Sequence, residues 1–514
     1  MARSEATSRT AFAARSSVYG VIGKVISLLA SFISRTVFIY VLGKYYLGVN
    51  GLYTEILSFL SFAELGFGSA MTFALYGPVE RKEDEKIREL MQFYKVTYRI
   101  IAIIVLLLGL AVTPFLPFII NGAEGLSLFE LRLYYLIFLT NTVTTYFVIY
   151  KYGYSNARQE TYISTNIETV TNLVCVVVQL AALVIAKSFL VYLLSNTFTL
   201  ILSRFCVALY LNHRYPILRE RPERALPSED RREILNEVKG LAVHQFAGVA
   251  IHATDSIIIS AIPSLGVAVV GAVSNYNLVI NAVSGIVLII FNSVVAGFGN
   301  LAVTATKERF ECVFSEANFI NFWIYGLCTV CFVVLLSPFV KLWAGFEYAI
   351  DAGSLALIIL NFYLQGQCTI YNNARIAKGN FNVDKWWSFL QAIINLVISV
   401  IAGMKLGLIG VYIGTVASRL FFVIARPCST YRFLFGRSCL NYFKRAGFYL
   451  FVVVSATILC WLLCLVPLAK LNWGSLIVAF LICFAVANAL FLIVFHKSSE
   501  MKSVISRIRT ILKG

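Results

Sequence analysis

The chain has 514 residues, of which 59% are hydrophobic and only 13% charged, with a mean hydropathy of +0.80. A soluble domain carries about 25% charged residues, so a soluble globular fold is excluded. The net charge of +17 does not indicate nucleic acid, because its placement follows loop topology: Lys and Arg collect in cytoplasmic loops of membrane proteins.

Uncharged apolar runs long enough for a hydrocarbon layer of about 30 Å recur along the chain. In order, the predicted spans are Ser17–Leu42, Tyr46–Tyr76, Lys95–Ile120, Phe129–Tyr150, Tyr162–Ala186, Phe189–Leu211, Gly240–Ile262, Gly266–Val303, Asn318–Trp343, Ser354–Ile376, Lys385–Met404, Gly407–Ile424, Gly447–Ala469 and Leu476–Phe495. The eighth is too long for one straight crossing and is expected to contain a turn or an interfacial portion. The fold class is thus all-α and polytopic, with about fourteen transmembrane helices. The stretch after the polar start runs too far for a signal peptide and is read as the first helix. Assigning tails and alternate loops to one side places 33 of the 43 Lys and Arg there, five in the opposite loops and five within spans, so both termini are expected to be cytoplasmic.

Residues 212–239 mix seven basic with six acidic residues and read as a solvated cytoplasmic linker. It separates an amino-terminal lobe (1–211) from a carboxyl-terminal lobe (240–445), with a last helix pair and tail in 446–514. The lobes look like copies at an offset near 220: Arg35 and Gly51 against Asp255 and Gly271, Asn172 against Asn395, and Ser203-Arg204 against Ser418-Arg419. Six helices separate the copies, so they share an orientation, and the expected site is the cleft between them. Eleven cysteines lie mostly in spans and read as small buried residues, with no metal-ligand spacing.

Charges inside a bilayer cost about 2.5 to 3.5 kcal/mol on insertion scales, so each needs a cavity or a partner. Lys24 and Arg35 share one stripe of the first helix, and His252 and Asp255 one stripe of the seventh. Asn277 and Asn281 of the eighth helix and Asn361 and Gln365 of the tenth form further polar stripes. Arg35 and Lys24 suit an anionic phosphate, and Asn and Gln suit sugar hydroxyls. Asp255 is a candidate gate partner of Arg35. Glu55 and Glu64, with His252, are candidates for gating or ion coupling, or else neutralise neighbours. Arg204 and Arg419 recur near helix ends and read as structural anchors. There is no phosphate-binding glycine loop, so no nucleotide is implied. The expected energy source is an ion gradient of H⁺ or Na⁺, the membrane potential or downstream consumption of the product, and neither metal nor cofactor is expected.

The segments Leu65-Gly66-Phe67-Gly68-Ser69-Ala70, Leu75-Tyr76-Gly77-Pro78-Val79, Thr254-Asp255-Ser256 and Asn318-Phe319-Ile320-Asn321-Phe322-Trp323 resemble the polysaccharide-transporter family of bacterial lipid-linked oligosaccharide flippases. The resemblance covers the whole chain. It implies two six-helix lobes around a cavity, alternating between inward- and outward-open states, in the multidrug/oligosaccharidyl-lipid/polysaccharide exporter superfamily. The implied cargo is an undecaprenyl-pyrophosphate-linked oligosaccharide, moved across the bacterial cytoplasmic membrane for O-antigen, capsule or exopolysaccharide assembly. The lipid bilayer and other glycan-assembly membrane proteins are the implied partners. A cation-coupled drug exporter of the same superfamily is the alternative. A membrane glycan polymerase or ligase is disfavoured, because the outer loops reach only about ten residues where such enzymes need a substantial extracytoplasmic loop.

Overall fold

The computed structural model describes residues 2–513 except 65, 123–124, 305, 378–384 and 437; within its helices it leaves out the side chains of 2–22, 24, 63, 240–241, 243–247, 249–250, 252, 290, 292–297, 299–300, 302–304, 385 and 507–513. Helices make up almost all of the described chain, and no strand occurs among the described residues. In a bilayer every backbone N–H and C=O must be paired within its own segment, which is why the apolar sequence folds this way.

The chain divides into two compact units, Met1–Gly271 and Ala272–Gly514. The first holds α1 (Ala2–Leu60), α2 (Phe67–Arg81), α3 (Asp84–Val112), α4 (Leu116–Ile119), α5 (Leu128–Thr145), α6 (Ile149–Ala157), α7 (Thr161–Ala186), α8 (Phe189–Arg214) and α9 (Ser228–Ala261). The division falls inside α10 (Gly266–Thr304). The second unit holds the rest of α10 with α11 (Lys307–Trp343), α12 (Ala352–Gln367), α13 (Thr369–Ala377), α14 (Lys385–Leu406), α15 (Leu408–Phe435), α16 (Leu440–Leu468), α17 (Trp473–Phe495) and α18 (Ser499–Lys513).

Among the described residues, twelve helices are long and apolar enough to cross a membrane. Two of the fourteen expected spans are not separate members of that set. The second joins the first through a kink at Gly43 (φ 79°), and then breaks before α2 at Gly66 (φ 76°). Glycine accepts both left-handed positions without a Cβ clash. The seventh lies in α9, much of whose apolar stretch is outside the described side chains. Of the turn or interfacial portion expected in the eighth span, the turn is absent: α10 is one continuous helix, whose apolar spanning part is Gly266–Ile289.

Pairs of elements repeat between the units. The fourth crossing is broken in each, at 146–148 between α5 and α6 and at Cys368 between α12 and α13. The next two crossings form a hairpin in each, turning on a left-handed residue, Lys187 in one and Gly407 in the other. The α14–α15 hairpin is the tighter, because Gly410 lies against the backbone of Ala402. A Cβ there would stand 2.0 Å from the Ala402 carbonyl oxygen and 2.7 Å from the Gly403 nitrogen. Neither backbone atom can yield, so Gly410→Ala is expected to cost about 3 kcal/mol and to lower the melting midpoint of the purified protein. Gly447→Ala meets nothing within 4 Å, and the gain in helix propensity is up to about 1 kcal/mol. Equal melting of both variants would show that the hairpin is looser than this.

The carboxyl-terminal pair α16–α17 packs on α11 through a shared core. Phe322 stacks on Tyr449 at 4.0 Å, Phe491 and Phe495 close on Phe322, and Trp323 Nε1 donates to Asn488 Oδ1 at 2.8 Å. Cys460, Cys464 and Cys483 are buried free thiols in this core. Residues 212–239 are not a free linker. Arg88 of α3 donates to Glu220 (2.6 Å) and to Glu85 (2.8 Å), the Glu223 N–H donates to Glu85, and Lys86 pairs with Asp230.

Candidate functional site

Two sites stand out, one in each unit. In the first unit a polar chamber of about 290 Å³ opens where α5 breaks from α6, lined by Ser61, Glu64, Asn141, Thr142, Thr145, Tyr146, Ile149 and Arg204. The turn closes the break itself, the N–H groups of Tyr146, Phe147 and Val148 donating to the carbonyls of Val143, Thr144 and Thr145. Arg204 of α8 braces the helix just before it: Nη1 lies within hydrogen-bond distance of the Asn141 carbonyl (2.8 Å), of Asn141 Oδ1 (2.8 Å) and of Thr144 Oγ1, which share its two N–H groups. Glu64 is held from the other side by the Tyr98 hydroxyl, within a group of rings formed by Phe67, Tyr94, Tyr98 and Tyr146. The second unit repeats the arginine clamp, with Arg419 Nε of α15 donating to Asn361 Oδ1 of α12 at 3.0 Å.

The second site is an apolar groove of about 480 Å³ in the second unit. Its walls are α10 (Val279, Val283), α11 (Leu327, Cys331) and α17 (Ile477, Phe480). Its lining is almost wholly hydrocarbon, so it can hold an acyl or prenyl chain but not a charged head.

The sequence-predicted residues distribute as follows. Lys24 and His252 have side chains outside the described residues. Arg35 is half-buried on α1, within electrostatic reach of Tyr192 on α8. Beside it, Ser34 Oγ donates to Gln179 Oε1 (3.2 Å) and Gln179 Nε2 to Asn196 Oδ1 (2.9 Å). Asp255 is half-buried on α9, which packs against α1, so Arg35 and Asp255 both belong to the first unit. Glu55 is half-buried and makes no hydrogen bond or ion pair with a described residue. Asn277 is half-buried, and Asn281 and Gln365 are exposed. Asn361 has its carboxamide oxygen occupied by Arg419.

Sequence reasoning missed Asn141, Thr142, Thr145 and Tyr98. The run Thr140-Asn141-Thr142-Val143-Thr144-Thr145 was the available signal, since six residues of a spanning helix hold five hydroxyl or amide side chains. It also missed the groove, whose lining is indistinguishable in sequence from any lipid-facing surface. Asn275 was passed over too; it is fully buried, and neither carboxamide atom is hydrogen-bonded to a described residue.

No protein-family model and no curated protein matches the sequence. Solved structures do. The lipid II flippase MurJ in an inward closed conformation superposes with a TM-score of 0.66 at 12% identity, covering 93% of this chain and 99% of that one. An inward-facing multidrug resistance MATE family transporter of the MOP superfamily gives 0.58 at 15% identity, over 79% of this chain and 96% of that one. A mutant of the Vibrio cholerae MATE transporter VcmN gives 0.59 at 15% identity, over 84% and 99%. This chain therefore has the all-helical, two-lobed membrane-transporter fold that the MurJ and MATE structures share.

Proposed function

We propose that this chain is an alternating-access flippase that carries an undecaprenyl-pyrophosphate-linked oligosaccharide from the cytoplasmic to the outer leaflet of a bacterial cytoplasmic membrane. The apolar groove walled by α17 carries this reading. Lipid tails are as apolar as the groove walls, so what the groove offers a prenyl chain is a shaped hydrocarbon surface for van der Waals packing. The coverage of MurJ over 93% of the chain, against 79% for the MATE exporter, supports a relationship that takes in the carboxyl-terminal helices. The glycan would serve O-antigen, capsule or exopolysaccharide assembly alongside other glycan-assembly membrane proteins, with both termini in the cytoplasm. Arg35 and Lys24 would draw the pyrophosphate, with Asn277, Asn281 and Gln365 available to sugar hydroxyls. Asp255 would act as the gate group beside Arg35. Glu55, Glu64 and His252 would take up the coupling H⁺ or Na⁺.

The polar chamber with Glu64 favours a second reading, a cation-coupled drug exporter, since a carboxylate in a spanning segment suits a coupling cation. Proteoliposomes loaded in turn with a fluorescent polyprenyl-pyrophosphate glycan and with an organic cation separate the two. Protein-dependent movement of the lipid-linked glycan alone is the expected result, and movement of the cation alone overturns the flippase. In the same assay Arg35→Ala is expected to melt like the parent and to lose about tenfold or more in rate, the loss of one charge-assisted phosphate contact. An unchanged rate would remove Arg35 from the head-group site.

A further inference from the structure

Five cations converge where α3, α6 and the turn 216–221 pack together in the first unit. Lys95 of α3 is within electrostatic reach of Arg99 and Arg221, and Lys151 of α6 is within reach of Lys95 and Arg219. Lys151 is the most enclosed, 5% exposed. Its ammonium has three donors, and the structure accounts for two, to Asn212 Oδ1 (2.9 Å) and the Ala208 carbonyl (3.3 Å). Lys95 is half-buried, and Arg99, Arg219 and Arg221 are exposed. Among the described residues none of the five forms an ion pair. The acid placed to neutralise them, Glu220 between Arg219 and Arg221, is turned away to Arg88 at 2.6 Å.

Loop topology accounts for cations on this side of the membrane, but not for their convergence on one spot. Like charges repel, and here neighbouring elements bring them within electrostatic reach of one another while the nearby Glu220 carboxylate is directed to Arg88. Three guanidinium groups and two ammonium groups, one of them enclosed, match the oxygen set of a phosphate, which guanidinium binds in a bidentate manner. We propose that Lys95, Arg99, Lys151, Arg219 and Arg221 form a phosphate-binding site, for a lipid phosphate head group or for free pyrophosphate. The site is separate from Arg35 and from the apolar groove, and it does not depend on which cargo the protein moves.

The test uses the full chain in detergent, with thermal melting recorded on titration of short-chain phosphatidylglycerol, short-chain phosphatidylcholine or inorganic pyrophosphate. The variants are Arg219→Gln with Arg221→Gln, and, as a control of equal charge change, Arg224→Gln with Arg232→Gln, exposed cations outside the five. The expected result is saturable stabilisation by phosphatidylglycerol, pyrophosphate or both, weakened roughly tenfold in the first variant, the product of two partly screened contacts, and retained in the control. Stabilisation by phosphatidylglycerol alone assigns the site to a lipid head group, and stabilisation by pyrophosphate assigns it to a free phosphate. Equal loss in both variants, no loss in the first, equal stabilisation by phosphatidylcholine, or no stabilisation by any of the three overturns the proposal.

Discussion

Ile477→Arg is expected to slow translocation of the proposed lipid-linked glycan about tenfold and to leave the protein folded. Ile477 lines the groove on α17 and is 59% exposed, so a longer side chain can be accommodated without disturbing the helix core. Arginine places a charge where the proposed prenyl chain lies; such a charge costs about 2.5 to 3.5 kcal/mol at the centre of a span and less near its end, and Ile477 stands in the second turn of α17. An occupied groove with an ion in its wall is therefore disfavoured by about tenfold, and transport should fall by that order. Ile477→Leu keeps the hydrocarbon surface and should transport normally. The measurement is turnover of a fluorescent polyprenyl-linked glycan in proteoliposomes, with circular dichroism as the folding control. Full turnover by a folded Ile477→Arg would remove the groove from the transport path.

Arg204→Leu is expected to lower stability by about 1 to 3 kcal/mol, the worth of a hydrogen bond from a charged donor, since the half-buried Asn141 carboxamide and Thr144 hydroxyl lose Arg204 while the Asn141 carbonyl keeps the Thr144 and Thr145 hydroxyls. Arg419→Leu is expected to act in the same direction, because Arg419 is buried and holds Asn361 of the other broken crossing. Arg204→Lys should recover only part of the loss, since a compact ammonium lacks the planar fork of donors. Melting of the three variants checks this; an Arg204→Leu protein that melts with the parent would show that the broken crossing is satisfied without the clamp.

The arginine clamp shows how far sequence reasoning reaches. Ser203-Arg204 and Ser418-Arg419 were legible as a repeat and read as anchors near helix ends, whereas α8 and α15 run on past them to Arg214 and Phe435 and both arginines stand inside their helices. What each arginine anchors was not legible. Asn141 lies 63 residues from Arg204 and Asn361 lies 58 from Arg419, and no local period links residues at such distances. Asn361 illustrates the consequence: its stripe on the tenth helix suggested a sugar contact, and the fold gives its oxygen to Arg419. Arg35 and Asp255 illustrate it again. Their equivalence in the repeat suggested opposite lobes, yet close glycine contacts, Gly48 against Val267 and Gly271 against Lys44, bind the start of α10 to α1. Both residues consequently fall in the first unit.

The sequence by itself determined that this chain is helical, crosses a membrane many times and is internally duplicated. Those properties are sums over neighbouring residues: hydropathy adds along a window, loop charge adds over short stretches, and a repeat is an offset. The tertiary structure alone decided which buried charges have partners, where the fourth crossing breaks, and that α17 closes an apolar groove with α10 and α11. Each of these depends on side chains brought together from distant helices. Inside a bilayer an unpaired polar group and an uncovered apolar surface carry opposite energies, and only the packing reveals which of the two a residue has become.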